Sequence, residues 1–208
     1  MSDPRPPIPA TCAARPTVGG LVSPYANVQL AGGGVDFRSQ HESRVQRCWR
    51  ETLCQLCGTA ITALPIVLFG GPRQVAALQF DEPPLHPACA VYVSKACPMV
   101  AGRQLHYATG DTVSDGRRGD TCPDPECDCG GWVPTPGLNR PAGGDPAHDW
   151  FAVYVNGYSL AITEDRPDRV HSAIVDPQQV LHMRHVSTPG IGRTWTLAAR
   201  TLLDEVHT

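Results

Sequence analysis

Short apolar runs with clear periodicity alternate along this chain with long stretches that have none. In "QHESRVQRCWRETL", Val45, Trp49 and Leu53 recur four residues apart, which predicts a helix over about residues 40–53 with the three on one face. Two apolar runs follow, "ITALPIVLFG" and "RQVAALQF", divided by Gly70-Gly71-Pro72. The glycine pair supplies a permissive backbone, so the pattern predicts a β-hairpin. In "LHPACAVYVSKACP", Pro87 takes a favoured first-turn position, and Ala88, Val91, Tyr92 and Lys95 keep helical spacing. Pro98 then stops this second helix. Farther on, "WFAVYVNGYSLAIT" joins two β-rich runs through Asn156-Gly157, a strong hairpin signal, and "RVHSAIVD" and "QVLHMRHV" can extend the same sheet. At the end, "TWTLAARTLLDEV" sets Trp195, Ala198, Ala199, Leu202 and Val206 on one face of a closing helix.

The aperiodic stretches divide the chain. Residues 1–36, ending in "LAGGGVDF", read as a flexible Pro/Gly-rich arm, and residues 104–149 as a Pro/Gly/Cys-rich linker or loop. The expected class is α+β. A compact module spans residues 37–103, and a small α+β subdomain of sheet and closing helix spans residues 150–208. With 21 Pro and 20 Gly in 208 residues, and a hydrophobic share of 41%, composition agrees with compact pieces joined by irregular segments. A net charge of −3 argues against an overall electrostatic grip on nucleic acid. The cations are almost all arginine, with Lys95 the sole lysine, which fits either a high-GC genome or phosphate recognition. The opening "MSDPRPPIPATCAARP" lacks the apolar core of a signal peptide, and no run approaches the ~18 apolar residues of a membrane span. The expected setting is cytoplasmic, without a membrane. Thiols stay reduced there, so nine cysteines at short spacings point to metal ligands before disulfides.

The strongest chemical signal is "CQLC" answered by "HPAC" after an interval of 28 residues. A CxxC turn converges two sulfurs on one ion, and a second pair from elsewhere completes a tetrahedron. His86 and Cys89 would stand at a helix start, where free backbone N–H groups favour a thiolate. Knuckle, hairpin and helix start together predict a treble-clef zinc finger with Cys54, Cys57, His86 and Cys89 as ligands. Four protein ligands leave no open position, so the Zn²⁺ would be structural. Cys48 and Cys97 read as packed thiols. "TCPDPECDCGGW" offers Cys122, Cys127 and Cys129 for a possible second zinc, with His148 or His106 as fourth ligand. The alternative is an acidic loop with incidental thiols, since Asp124, Glu126 and Asp128 disfavour thiolates.

A nuclease of the His-Asn-His type fails on inventory, because residues 58–85 contain neither His nor Asn. His182 and His185 would share a helical face but oppose each other in a strand, and His171 and His207 lie apart from them. No nucleophile elbow, phosphate loop or dinucleotide fingerprint is present. Arg44, Arg47 and Arg50 recur every three residues, either as a basic ridge or as a solvated helix face.

The segment "CQLCG…EPPLHPACAVYVSKACPMV" resembles an uncharacterised group of small proteins from actinobacteria and their phages, specifically over residues 48–103 and faintly over 150–208. The resemblance implies zinc ligation at Cys54, Cys57, His86 and Cys89 and a host or phage setting, but no activity. The leading expectation is a non-enzymatic, zinc-stabilised adaptor that binds another protein. One alternative is a nucleic-acid-binding regulator. Another is a metalloenzyme using the C-terminal histidines or the 122–129 cysteines.

Overall fold

The structure is a computed structural model that describes residues 5–109, 122, 124, 125, 127, 143–163 and 166–187. It is a mixed α/β fold of small antiparallel sheets and short helices. The closing helix expected over Trp195–Val206 and His207 lie outside the described residues. Among the described residues, no helix is long and apolar enough to cross a membrane.

The stretch expected as a flexible arm instead carries regular structure from Ala10 onward. Strands β1 (Thr17–Val18) and β2 (Leu21–Val22) pair across Gly19-Gly20, whose φ values of 57° and 77° are those a two-residue hairpin turn requires. Strands β3 (Asn27–Leu30) and β4 (Gly34–Gln40) pair around Gly32 and Gly33, again at positive φ. Cys12, Val22, Ala26 and Val28 bury their side chains, so this segment belongs to the core.

Helix α1 (Glu42–Arg50) follows, with Val45, Cys48 and Trp49 buried on one face as the periodicity requires. It ends before Leu53, which is buried but sits in a bridge to Ala60. The outer part of α1 is tied to the C-terminal half. Gln46 exchanges two 2.8 Å hydrogen bonds with the backbone of Val170, and Glu42 pairs with Arg169 at 2.9 Å.

The hairpin expected across Gly70-Gly71-Pro72 does not form. Strand β5 (Ile66–Gly70) leads into a short helix, α2 (Pro72–Ala77), and then strand β6 (Gln79–Phe80). Pro72 is pre-set for the first helical position, and the Gln74 side chain accepts from the Gly71 N–H, so the residues after the glycines start a helix rather than a return strand. Helix α3 (Pro87–Ala96) begins and ends as the prolines predict.

The C-terminal segment supplies β7 (Phe151–Val155), β8 (Ser159–Thr163), β9 (Arg166–Ile174) and β10 (Val180–His185). Asn156-Gly157 does not close a hairpin. Strand β7 lies between β10 and β5, while β8 pairs with β9 in a second sheet of order β6-β9-β8. Neither Asn156 nor Gly157 adopts the positive φ of a tight hairpin turn, and both edges of β7 are taken. Because β5 pairs with β7 from Ile66↔Val155 to Gly70↔Phe151, the 37–103 module and the 150–208 segment share one sheet.

That sheet separates two apolar clusters by strand alternation. Ile66, Leu68, Phe151, Val153 and Val155 face one cluster with Trp49, Val75, Phe80 and Val170. Val67, Phe69 and Ala152 face the other, with Cys54, Cys57, Leu85, Cys89, Tyr92 and, from the N-terminal stretch, Cys12 and Val22.

Packing at the top of β5 leaves no room for a side chain on Gly71. A Cβ there would lie 2.5 Å from two atoms of the His148 ring. That ring is held by a 2.7 Å hydrogen bond between its Nδ1 and the Tyr107 hydroxyl and by contact with Trp150. Gly71→Ala is therefore expected to destabilise the fold by about 1–3 kcal/mol, as overpacking does. A urea-unfolding midpoint equal to that of the unsubstituted chain would show that the ring moves aside at no cost.

Candidate metal centre

Cys54, Cys57, His86 and Cys89 converge, with their ligand atoms all within 4.8 Å of one another. The knuckle is shaped by its own backbone. Gly58 N–H donates to the Cys54 carbonyl at 2.8 Å, Cys54 N–H donates to the Thr59 carbonyl at 2.9 Å, and Gly58 turns at φ 78°. The facing pair is delivered by the start of α3, where His86 is the residue before the first turn and Cys89 lies in that turn. An antiparallel bridge between Val67 and Leu85 brings this start back to β5 and the knuckle.

Histidine orientation is set by its outer nitrogen. The His86 Nε2–H donates to the Ala60 carbonyl at 3.2 Å, which leaves the lone pair of Nδ1 aimed at the sulfurs, 3.4 Å from Cys57 Sγ. The three sulfurs are buried in the second apolar cluster. Hydrogen bonding from Cys54 and Cys89 holds Cys57 well below the usual thiol range, while hydrogen bonding to Cys57 pushes Cys54 up. A divalent ion lets all three ionise together, since coordination deprotonates a thiol outright.

A fourth sulfur, from Cys12, adjoins this group. Cys12 Sγ lies 3.9 Å from Cys89 Sγ, and the Thr11 hydroxyl lies 3.4 Å from it. Burial pushes the Cys12 thiol up. The short "PATCAARP" gives no local sign of this, because its partner is 77 residues away. Cys48 is buried in the first cluster and Cys97 is partly buried against the second, as packed thiols.

The second candidate group forms with a different histidine. His41, Cys122 and Cys127 place their ligand atoms within 4.8 Å of one another. His148, expected as the fourth ligand, is not in this group and packs against Gly71, Tyr107 and Trp150. His106 is also elsewhere, bridged to Pro146. Cys129 lies outside the described residues. His41 is buried at the start of α1. Its Nε2 is 3.2 Å from Cys122 Sγ and its Nδ1 is 3.0 Å from the Ser43 hydroxyl. Both groups can hold a metal ion.

Asp124, between the two cysteines, is anchored below them. Its carboxylate pairs with Arg44 at 2.8 Å and accepts from the Gln29 N–H at 3.2 Å. That use of Arg44 removes it from the proposed basic ridge. The Arg44 side chain is 14% exposed, donates to the Asn27 carbonyl and lies over the Tyr25 ring. Arg47 is exposed but paired with Glu51 at 3.0 Å, and Arg50 is exposed.

Among the described residues, the C-terminal histidines do not gather. In β10, His182 stacks on Tyr154 with centroids 4.0 Å apart, while His185 lies 3.4 Å from an Asp149 carboxylate oxygen. Among the described residues, neither these two nor His171 joins a metal-ligating group. No protein-family model, curated protein or solved structure matches this chain.

Proposed function

We infer that the chain is a zinc-stabilised, non-enzymatic binding protein that acts through contacts with another protein. The observation that carries this is the closed donor set Cys54, Cys57, His86 and Cys89, whose sulfurs lie inside an apolar cluster. Three thiolates and a neutral imidazole select zinc over the hard cations, and four protein donors leave no position at which a substrate or water is activated. The knuckle joined to the start of α3 serves as a treble-clef-like unit in which the strand pair is reduced to the Val67–Leu85 bridge. Such an ion fixes a surface instead of performing a reaction. On this reading the chain works in the cytoplasm of an actinobacterium or of one carrying a phage.

Cobalt substitution tests the closed site. Co²⁺ held by the first group is expected to give a tetrahedral visible spectrum that azide leaves unchanged, measured in the Cys122→Ser background. An azide-induced shift would reveal an open coordination position and overturn the reading. Co-purification from a native host gives the second arm. A protein partner retained by the zinc-loaded chain and lost with Cys57→Ser supports the role. Retention of nucleic acid that falls steeply with salt would favour a phosphate-driven regulator.

A further inference from the structure

We propose that His41, Cys122 and Cys127 form a second binding site for a thiolate-seeking divalent ion such as zinc, separate in its ligands from the first. The site would clip the segment around Cys122–Cys127 onto the start of α1. Three independent features of the fold converge on it. The donor atoms already stand within 4.8 Å of one another, so an ion can bridge them without a large rearrangement. The histidine is fixed before any ion arrives. Its backbone N–H donates to the Ala26 carbonyl at 2.7 Å, its carbonyl accepts from Val45 N–H at 2.9 Å, and the residue is 2% exposed.

The ring tautomer also suits ligation. The Ser43 hydroxyl, 3.0 Å from Nδ1, can accept from an Nδ1–H, and in that tautomer the Nε2 lone pair faces Cys122. A partner on the outer nitrogen is the usual device for orienting a ligating imidazole. The third feature is the anchoring of the described residues beside the cysteines. Asp124 is buried on Arg44 and on the Gln29 N–H, and Cys127 N–H turns back to the Asp124 carbonyl at 3.2 Å.

Two thiolates and an imidazole suit zinc and disfavour magnesium or calcium. The acidic neighbours that argue against ligation in the sequence do not all act on the sulfurs, because Asp124 spends its charge on Arg44. This proposal stands apart from the first site's role, since no ligand is shared between the two groups.

The test is metal counting on the full chain, by elemental analysis after gel filtration in zinc-containing buffer. Two zinc ions per chain are expected in the unsubstituted protein and one in Cys122→Ser. His41→Asn should also hold one, and asparagine keeps a good residue for starting α1. Co²⁺ spectra separate loss of the site from loss of fold. Both variants should retain the three-thiolate charge-transfer band of the first group and lose the additional two-thiolate contribution. A wild-type chain with one zinc that Cys122→Ser leaves in place would overturn the proposal. So would two zinc ions that survive both substitutions.

Discussion

Cys89→Ser is expected to empty the first group of its metal and to unfold the core built around it. Cys89 is fully buried, is delivered by the first turn of α3, and sits between the knuckle sulfurs and the Thr11–Cys12 segment. Serine removes the thiolate and leaves a hydroxyl in an apolar cluster, so the loss combines a ligand with an ill-placed polar group. Binding of zinc to finger-like modules is worth on the order of 10 kcal/mol at neutral pH. That is as large as the total stability of an ordinary domain, about 5–15 kcal/mol. The variant, and the unsubstituted chain treated with a strong chelator, should therefore lose cooperative thermal unfolding together. Circular dichroism melts with and without zinc decide it. A chelated chain that melts at the temperature of the zinc-loaded one would show that the four residues are packing alone.

The second large effect concerns Asp124. Its side chain has no exposure and that of Arg44 has 14%, and the two are 2.8 Å apart. Asp124→Ala would leave a guanidinium in a largely desolvated place with its carboxylate gone, which costs about 3–5 kcal/mol. The size comes from the orphaned charge more than from the attraction lost. The double substitution Arg44→Met with Asp124→Leu should accordingly cost less than Asp124→Ala by itself. Denaturant unfolding of the single and double variants, closed as a cycle, measures the difference. A double variant as unstable as the sum of its parts would mean that shape, not charge, holds the segment.

What could be read from residues alone was local. The CxxC and HxxC spacings each put two donors within a few residues, and only the joining of the pairs needed the fold. Val45 and Trp49 marked α1 by periodicity, and Pro87 and Pro98 marked the limits of α3. Composition misled at the beginning of the chain. Its prolines and glycines suggested disorder, although Gly19-Gly20 between Val18 and Leu21 is itself a two-residue turn signal. The Asn156-Gly157 signal erred in the opposite sense, because tertiary pairing assigned both edges of β7 to other strands.

In "PRQVAALQF", an apolar run outweighed the helix-starting pair of Pro72 and Gln74. The second metal group was out of reach for a different reason. His41 and Cys122 are 81 residues apart, and nothing in the spacing of either names the other. Treating residues 1–36 as an arm also removed the strands that carry His41 into place.

The position of β7 between β5 and β10 has a consequence for biosynthesis. Strand β5 leaves the ribosome at residues 66–70, but its partner is made about eighty residues later and the outer strand later still. Until then, the edge of β5 that takes β7 is unpaired, and Val67 and Phe69 rest against residues already made, among them Val22, Leu85, Cys89 and Tyr92. Pairings so distant along the chain close slowly. Early capture of an ion by the nascent chain would shield that hydrophobic edge from aggregation during the wait.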